Sequence, residues 1–467
     1  MIAPARRAAY DALTLVTRGR DVLGDALATA RHSLADSRDR ALLTSLVTGT
    51  LRWRNRLDFL LGQAASRPLD RLDPEVLDLL RLALFQLLFL ERVPASAVVD
   101  DTVSLTRAIG KSSATGLVNA VLRRLARTRH QTMFPTLPAT IVSDADRDAW
   151  LTALSITGSH PRWLLERWLK RHGAEATTAW VAFNNDEAPL TLRANMLVTS
   201  RDALSRALAA EGVTTAELQY APDGLRVTSG NPLSGDLASA GQFVVQDEAA
   251  QVVCLLAGRR RRRLTLDTCA SPGGKTLILA AGPSRSGLLV AADRRRRRVA
   301  LLRERLATAH ASTVDVVTMD LLRGAPFGEV FDLVLLDAPC TGLGTLRRDV
   351  DIRWRRAPAD IRVAAARQAQ MLDEAARLVA PGGRLIYATC SSEPEENVEG
   401  VNAFLERRRD FGRVPRAELA ADGAPERLLN ADGDMETRPD LHALEGFYGA
   451  ALDRTGASGP DGVARAL

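Results

Sequence analysis

The sequence predicts an α/β protein: a doubly wound, parallel-sheeted domain over residues 246–455, preceded by an all-helical domain and a small α+β domain. Three observations predict it. After Gln246, the short apolar runs RLTLDTCA, GLLVAAD, VDVVTMD, FDLVLLDAP and GRLIYATCS alternate with helical segments such as RRVALLRERLATAH and RQAQMLDEAARLVA. That is the rhythm of a parallel sheet covered by helices. From Ala3 to about Arg129, apolar residues recur at helical spacing with few strand candidates. From about Trp150 to Asp247 the pattern mixes helix and strand.

The front domain is expected over 1–135. RALLTSLVTGTLRWRNRLDFLLGQA and PEVLDLLRLALFQLLFLERV carry its helices, and Pro74 after Asp73 suits a helix start. RHQTMFPTLPATIVSDAD, with two prolines, breaks the periodicity and reads as a boundary. The second domain is expected over 150–245. Helical PRWLLERWLKRHG leads to the strand PLTLRANML, then to the helix SRDALSRALAAEGV with Ser200 as its cap, then to the strand GLRVTSG. A split βαβ arrangement fits that order. Residues 456–467 read as a disordered tail.

Composition narrows the function. The chain has 467 residues, 46% apolar and 25% charged, as in a soluble globular protein with more than one core. Its longest apolar run, Leu77 to Leu90, contains Arg81 and Gln86 and falls short of the ~20 residues a membrane crossing needs. The amino terminus has no signal pattern, so a cytoplasmic location is expected. The four cysteines, Cys254, Cys269, Cys340 and Cys390, and the six histidines are dispersed, which supports neither a disulfide framework nor a metal site. Residues 1–135 carry 20 Lys+Arg against 13 Asp+Glu, a net +7 that exceeds the chain's total of +6. A basic front domain of this kind is expected to contact a polyanion such as a nucleic acid. Lysine occurs only at Lys111, Lys170 and Lys275.

In an open α/β sheet, ligands bind at the carboxyl ends of the strands. Asp267 to Lys275, Asp293, Asp320, Asp337 to Cys340 and Cys390 all fall at or just beyond strand ends. DTCASPGGKT ends in Gly-Lys-Thr, but a P-loop needs glycine where Cys269 stands, so the phosphate reading fails. What remains is a tight turn whose Gly273 and Gly274 let backbone approach a ligand before a helix begins. Asp293, at the end of the second strand, is placed to accept from ribose hydroxyls. A nucleoside-containing cofactor without a pyrophosphate is implied, and S-adenosylmethionine meets both conditions.

A free cysteine is ordinarily a small buried hydrophobe. The Pro339-Cys340 pair followed by Gly342 and Gly344 argues instead for an exposed, shaped loop, and Cys390 leaves a buried strand into an acidic turn. Two cysteines at neighbouring strand ends are expected to face one pocket, with Asp337 placed to bond a base edge. RRRRR at Arg294 to Arg298 reads equally as an RNA patch or a solvated helix face.

CASPGGKT, LLDAPCTG and YATCSSEPEEN together resemble the RNA cytosine-5 methyltransferase family. The basic helical front end resembles the antitermination-factor-like domain of its bacterial branch acting on small-subunit (16S) ribosomal RNA. DRALLTSLVTGTLRWR, RPLDRLDPEVLDLLRLALFQLLFLERVP, GLVNAVLRR, PLTLRAN, VVQDEAAQ and EGFYGA extend the similarity from about Arg6 to Arg454. The resemblance implies a Rossmann-like S-adenosylmethionine methyltransferase domain, a ribosomal RNA substrate and a monomer. It implies that Cys390 is the nucleophile adding to carbon 6 of cytosine, because carbon 5 alone is too weak a nucleophile to take a methyl group. Asp337 would bond or protonate nitrogen 3, and Cys340 would assist loss of the carbon 5 proton and release of the enzyme. Cys269, Ala270, Ser271, Pro272, Gly273, Gly274 and Lys275 would surround the methionine end of the cofactor. Asp293 would hold its ribose, Asp320 its adenine, and Asp337 would also border it.

Three departures from the family pattern stand out. Ser271 replaces a second alanine, Ser96 a common histidine, and Ala194 and Val198 the usual valine and lysine of an RNA-contacting strand. Other readings remain at this stage: another RNA such as tRNA as substrate, a methyltransferase of the same fold acting on an amine or a protein, or a non-catalytic RNA-binding factor. The cysteine and cofactor motifs count against the last two.

Overall fold

The computed structural model of the chain describes residues 2–128, 131, 133–282 and 285–456. The expected tail beyond Gly456 lies outside the described residues. The chain packs as two compact units, Met1–Asp186 with Leu346–Arg356, and Glu187–Thr345 with Ala357–Leu467.

The first unit is helical, as the periodicity predicts. The run over 40–64 forms two helices, Ser37–Arg52 and Arg54–Ala64, broken at Trp53. Asp73 accepts from the Glu75 amide at 3.0 Å, so the expected start at Pro74 is capped. The helix Pro74–Phe89 is buried over most of its length. Its charges are paired: Arg81 donates to both carboxylate oxygens of Asp58 at 2.7 Å and to Asp78 at 3.0 Å. No described helix is long and apolar enough to cross a membrane.

The helices Asp144–Thr157 and Arg162–Asn185 belong to the first unit, and the second helix is broken at Gly173 (φ 80°). The short segment 346–356 belongs there too. Val350 is fully buried in the helical core, and the Trp354 indole donates to the Leu51 carbonyl at 2.6 Å. Arg353, 1% exposed, donates to the carbonyls of Arg52, Ser159, Asn184 and Leu346 and to the Asn185 side chain. Backbone carbonyls thus take the place of water around this buried guanidinium.

The second unit holds two sheets. Strands β1 (Thr191–Ala194), β2 (Thr214–Glu217), β3 (Gly224–Ser229) and β4 (Phe243–Val245) form an antiparallel sheet in the order β2-β3-β1-β4. The helix Arg201–Ala210 connects β1 to β2 and is capped by Ser200. This is the expected split βαβ arrangement; β2 and β4 are short and were not legible.

The eight-stranded sheet contains the five expected strands: β5 (Arg262–Asp267), β6 (Arg285–Asp293), β7 (Val314–Thr318), β8 (Phe331–Asp337) and β9 (Val379–Thr389). They are parallel in the order β9-β8-β5-β6-β7. The sheet is mixed, however. β10 (Phe411–Arg413), β11 (Met435–Thr437) and β12 (Phe447–Arg454) add to it antiparallel, with β12 pairing β9 from Tyr448↔Thr389 to Asp453↔Arg384. Because β12 is buried along most of its length, it shows no alternation by which sequence could reveal it.

Candidate active site

The loop after β5 turns sharply into the helix Gly274–Ala281. Gly273 sits at φ 105°, where a side chain is strained, and a Cβ there would press on Leu302 at 3.0 Å. The turn places Asp267, Cys269, Ala270, Ser271, Pro272, Gly274 and Lys275 on a cavity of about 560 Å³, with Asp337 at the end of β8 opposite them. Phe243, Val244 and Val245 of β4 supply an apolar wall. Among the described residues, two buried side-chain oxygens at this cavity have no hydrogen-bond partner, Asp267 Oδ1 and Ser271 Oγ. The charged methionine end of S-adenosylmethionine would satisfy them, so the residues present fit that cofactor. Asp267 closes β5 but lies outside the motif that begins at Cys269; its strand-end position was the signal available. Burial pushes its carboxyl up to about 7, although Thr276 donates to its Oδ2 at 2.7 Å.

A second, smaller cavity of about 130 Å³ adjoins Cys269 and holds Asp293 and Asp320, at the ends of β6 and β7. Asp293 accepts from the Arg295 amide at 3.0 Å through Oδ1, and Asp320 caps the turn Leu321–Arg323. Arg294, Arg295 and Arg298 line this cavity, and Arg298 donates to the Ser271 carbonyl at 3.1 Å. Part of the arginine run therefore shapes this strand-end site.

Lys275 reaches across to Asp337, with Nζ 2.6 Å from Oδ2, and its Nζ lies 5.6 Å from the centre of the Phe447 ring. Burial lowers the lysine's affinity for its proton, but the Asp337 carboxylate more than offsets this and helps hold the ammonium well above its usual range. Lys275 thus stands in a specific ion pair at the start of its helix.

Cys340 and Cys390 meet as expected. Their Sγ atoms are 3.2 Å apart, both are free thiols, and both are partly exposed. The bond with Cys340, burial, and the charges of Cys340 and Asp337 raise the Cys390 thiol, while Lys275 lowers it. The loop carrying Cys340 corrects one expectation: Pro339 is exposed and Cys340 partly so, but Thr341 to Thr345 are buried. Gly344 explains the burial, since its amide donates to the Cys390 carbonyl at 3.0 Å and a Cβ there would strike Gly446 at 1.8 Å. Cys254 is a buried thiol pushed up to about 12 by burial, and Cys269, despite its place in the loop, is pushed up to the same level. Neither is set up to ionise.

Three family models match consecutive parts of the chain. The NusB family matches residues 3–127, a ferredoxin-like domain of RsmF/B-like methyltransferases matches 160–234, and the 16S rRNA methyltransferase RsmB/F model matches 253–453. The chain is 34% identical to ribosomal RNA small subunit methyltransferase B of Pseudomonas putida, over 97% of its own length and 99% of the relative's. It is 33% identical to a putative methyltransferase of Mycobacterium tuberculosis over 97% of its length and 96% of that protein's. Among solved structures, that of PH0851 matches with a TM-score of 0.78 and 24% identity over 97% of this chain and 99% of that one. NSun6 from Pyrococcus horikoshii, solved with SFG, matches with a TM-score of 0.55 and 19% identity over 63% of this chain and 98% of that one. Identity of 34% over nearly the whole of both chains, with the three family models in this order, makes this chain a member of the 16S rRNA methyltransferase RsmB/F family.

Proposed function

We propose that the protein methylates carbon 5 of a cytosine in small-subunit ribosomal RNA, with Cys390 as the attacking nucleophile. The observation that carries the reading is the meeting of two free thiols, Sγ to Sγ 3.2 Å, at adjacent parallel strand ends, electrostatically coupled to Lys275 and Asp337. A methyltransferase acting on an amine needs no second thiol there.

S-adenosylmethionine supplies an electrophilic methyl group. Asp267, Ser271 and the loop to Lys275 would hold its methionine end, and Asp293 and Asp320 would hold its nucleoside. The target cytosine is unstacked to reach the site. Cys390, as thiolate, adds to carbon 6, and the displaced π electrons make carbon 5 nucleophilic. Asp337, relaying a proton from the Lys275 ammonium against it, donates to nitrogen 3 and neutralises the charge that develops there. Once carbon 5 carries the methyl group and S-adenosylhomocysteine is left behind, Cys340, acting as a base, removes the carbon 5 proton; the electron pair of that C–H bond restores the ring double bond and expels Cys390. The basic front domain supplies phosphate contacts that hold the RNA.

The two cysteines are tested against each other. Cys390→Ala should transfer no methyl group and form no covalent complex. Cys340→Ala should still attack and transfer, yet release slowly, so that a protein–RNA complex persists on a denaturing gel. A complex trapped by Cys390→Ala alone would reverse the roles, and full activity in both variants would overturn the reading. Bisulfite sequencing of ribosomal RNA from cells with and without the gene locates the modified base.

A further inference from the structure

Glu396 is fully buried at the end of the turn Pro394–Glu396, and both of its carboxylate oxygens are engaged by the two cysteine loops. Oε1 accepts from the Thr341 amide at 2.8 Å and from Gln368 Nε2 at 3.0 Å. Oε2 accepts from the hydroxyls of Thr341 and Ser391. Thr341 directly follows Cys340, and Ser391 directly follows Cys390. Gln368, on the helix Pro358–Ala376, also donates to the Pro339 carbonyl at 3.1 Å, on the other side of Cys340. The turn is fixed in place as well: the Tyr387 hydroxyl donates to the Glu396 carbonyl at 2.6 Å, and Asn397 donates to the Ser391 carbonyl at 2.8 Å.

Burying a carboxylate among neutral donors is costly, and packing alone would be served by an apolar side chain of the same volume. What an apolar residue cannot do is accept from the residue after each thiol at once. An acceptor-only group with two oxygens sets the distance between the two loops, and with it the distance between the thiols. Sites that need two groups in register depend on such supports, because a misplacement of ~1 Å costs about 100-fold in rate.

We infer that Glu396 is a positioning residue that clamps the loops of Cys340 and Cys390 together and so sets the spacing of the two thiols. The inference rests on the cysteine mechanism for its effect on rate, but not for its effect on geometry.

The test uses the full chain and two readouts. The first is titration with phenylarsine oxide, whose arsenic bridges two neighbouring thiols with loss of one water and needs no substrate. Wild type should capture the reagent through Cys340 and Cys390. Glu396→Leu should capture it at least ~10-fold more weakly, and Glu396→Gln, which keeps one oxygen and can donate to the two hydroxyls, should recover most of the loss. The second readout is single-turnover methyl transfer at saturating RNA and cofactor. It should fall about 100-fold in Glu396→Leu, with the cofactor Kd from calorimetry unchanged and Glu396→Gln restoring the rate. Should Glu396→Leu fail to fold, the double variant Thr341→Val, Ser391→Ala removes both hydroxyl donors and should reproduce both losses. Native arsenical capture together with native turnover in the folded variants would overturn the inference. Loss of capture in Glu396→Leu alongside full activity in Cys390→Ala would leave the clamp standing and sink the cysteine mechanism instead.

Discussion

Lys275 and Asp337, 62 residues apart in sequence, form an ion pair of 2.6 Å between the start of one helix and the end of β8. The pair is only partly screened, with Lys275 12% and Asp337 32% exposed. Lys275→Met should therefore leave the Asp337 carboxylate uncompensated and take away the ammonium beside it that can supply a proton. Removing one partner of a fully buried pair costs about 3–5 kcal/mol; with Asp337 a third exposed, a loss nearer ~1–2 kcal/mol is expected from urea unfolding. Methyl transfer should fall at least ~10-fold, as when a positioned proton donor is lost, and Lys275→Arg should retain more of it. Unchanged turnover in Lys275→Met would remove the pair from the mechanism.

Cys390 is raised by its bond with Cys340, by burial and by Asp337. A raised thiol is protonated until the pH passes its own value, so the reactive thiolate increases with pH through and beyond the ordinary thiol range. Alkylation of Cys390 by iodoacetamide, and kcat/KM for RNA, should both climb about tenfold per pH unit near neutrality. Cys340→Ala removes the largest cause, so its alkylation profile should move to lower pH. A pH-independent alkylation rate would contradict this arrangement.

Asp267, pushed up to about 7 by burial, should make cofactor binding depend on pH. Below that value the free site is neutral; a bound ammonium favours the carboxylate, so binding releases a proton. Affinity for S-adenosylmethionine should fall as the pH is lowered from 8 to 6, by up to ~10-fold per unit. Calorimetry in buffers of different ionisation enthalpy would detect the proton released, and Asp267→Asn should abolish it. Asp293→Ala, by contrast, should weaken binding by ~1–3 kcal/mol without changing its pH dependence.

Arg353 donates to four backbone carbonyls and one side-chain amide while 1% exposed. Arg353→Met keeps the bulk and strands those acceptors, each at a cost of ~1–3 kcal/mol, so urea unfolding should show a loss of at least ~3 kcal/mol. A change under ~1 kcal/mol would mean that the carbonyls find water. The same packing shows that deleting residues 1–135 is a poor way to isolate the front domain, because Val350 and Arg353 would lose the helical core around them. Charge reversal of exposed arginines such as Arg38 and Arg124 is the cleaner test. It should weaken RNA binding and make its log–log salt slope shallower by ~1 for each phosphate no longer neutralised.

Sequence alone determined whatever depends on local periodicity and on chain order within the parallel sheet. The all-helical front third, the helix after Ser200 and the five parallel strands follow from the spacing of apolar residues. Placing Asp293, Asp320, Asp337 and Cys390 at one edge needs only the rule that successive βα units point their strands the same way. Tertiary structure decided what depends on which distant groups meet. β12 is buried too evenly to betray its period. No local pattern in 346–356 marks Arg353 as buried, because the carbonyls of Arg52, Ser159 and Asn184 that receive it lie far away in sequence. Lys275 with Asp337, and Glu396 with Thr341 and Ser391, are bonded only because the order β9-β8-β5 sets their strand ends side by side. The physical reason is one of range. Hydrophobic periodicity records the face a residue presents to its own element, whereas a buried polar group finds its partner only after the layers have closed.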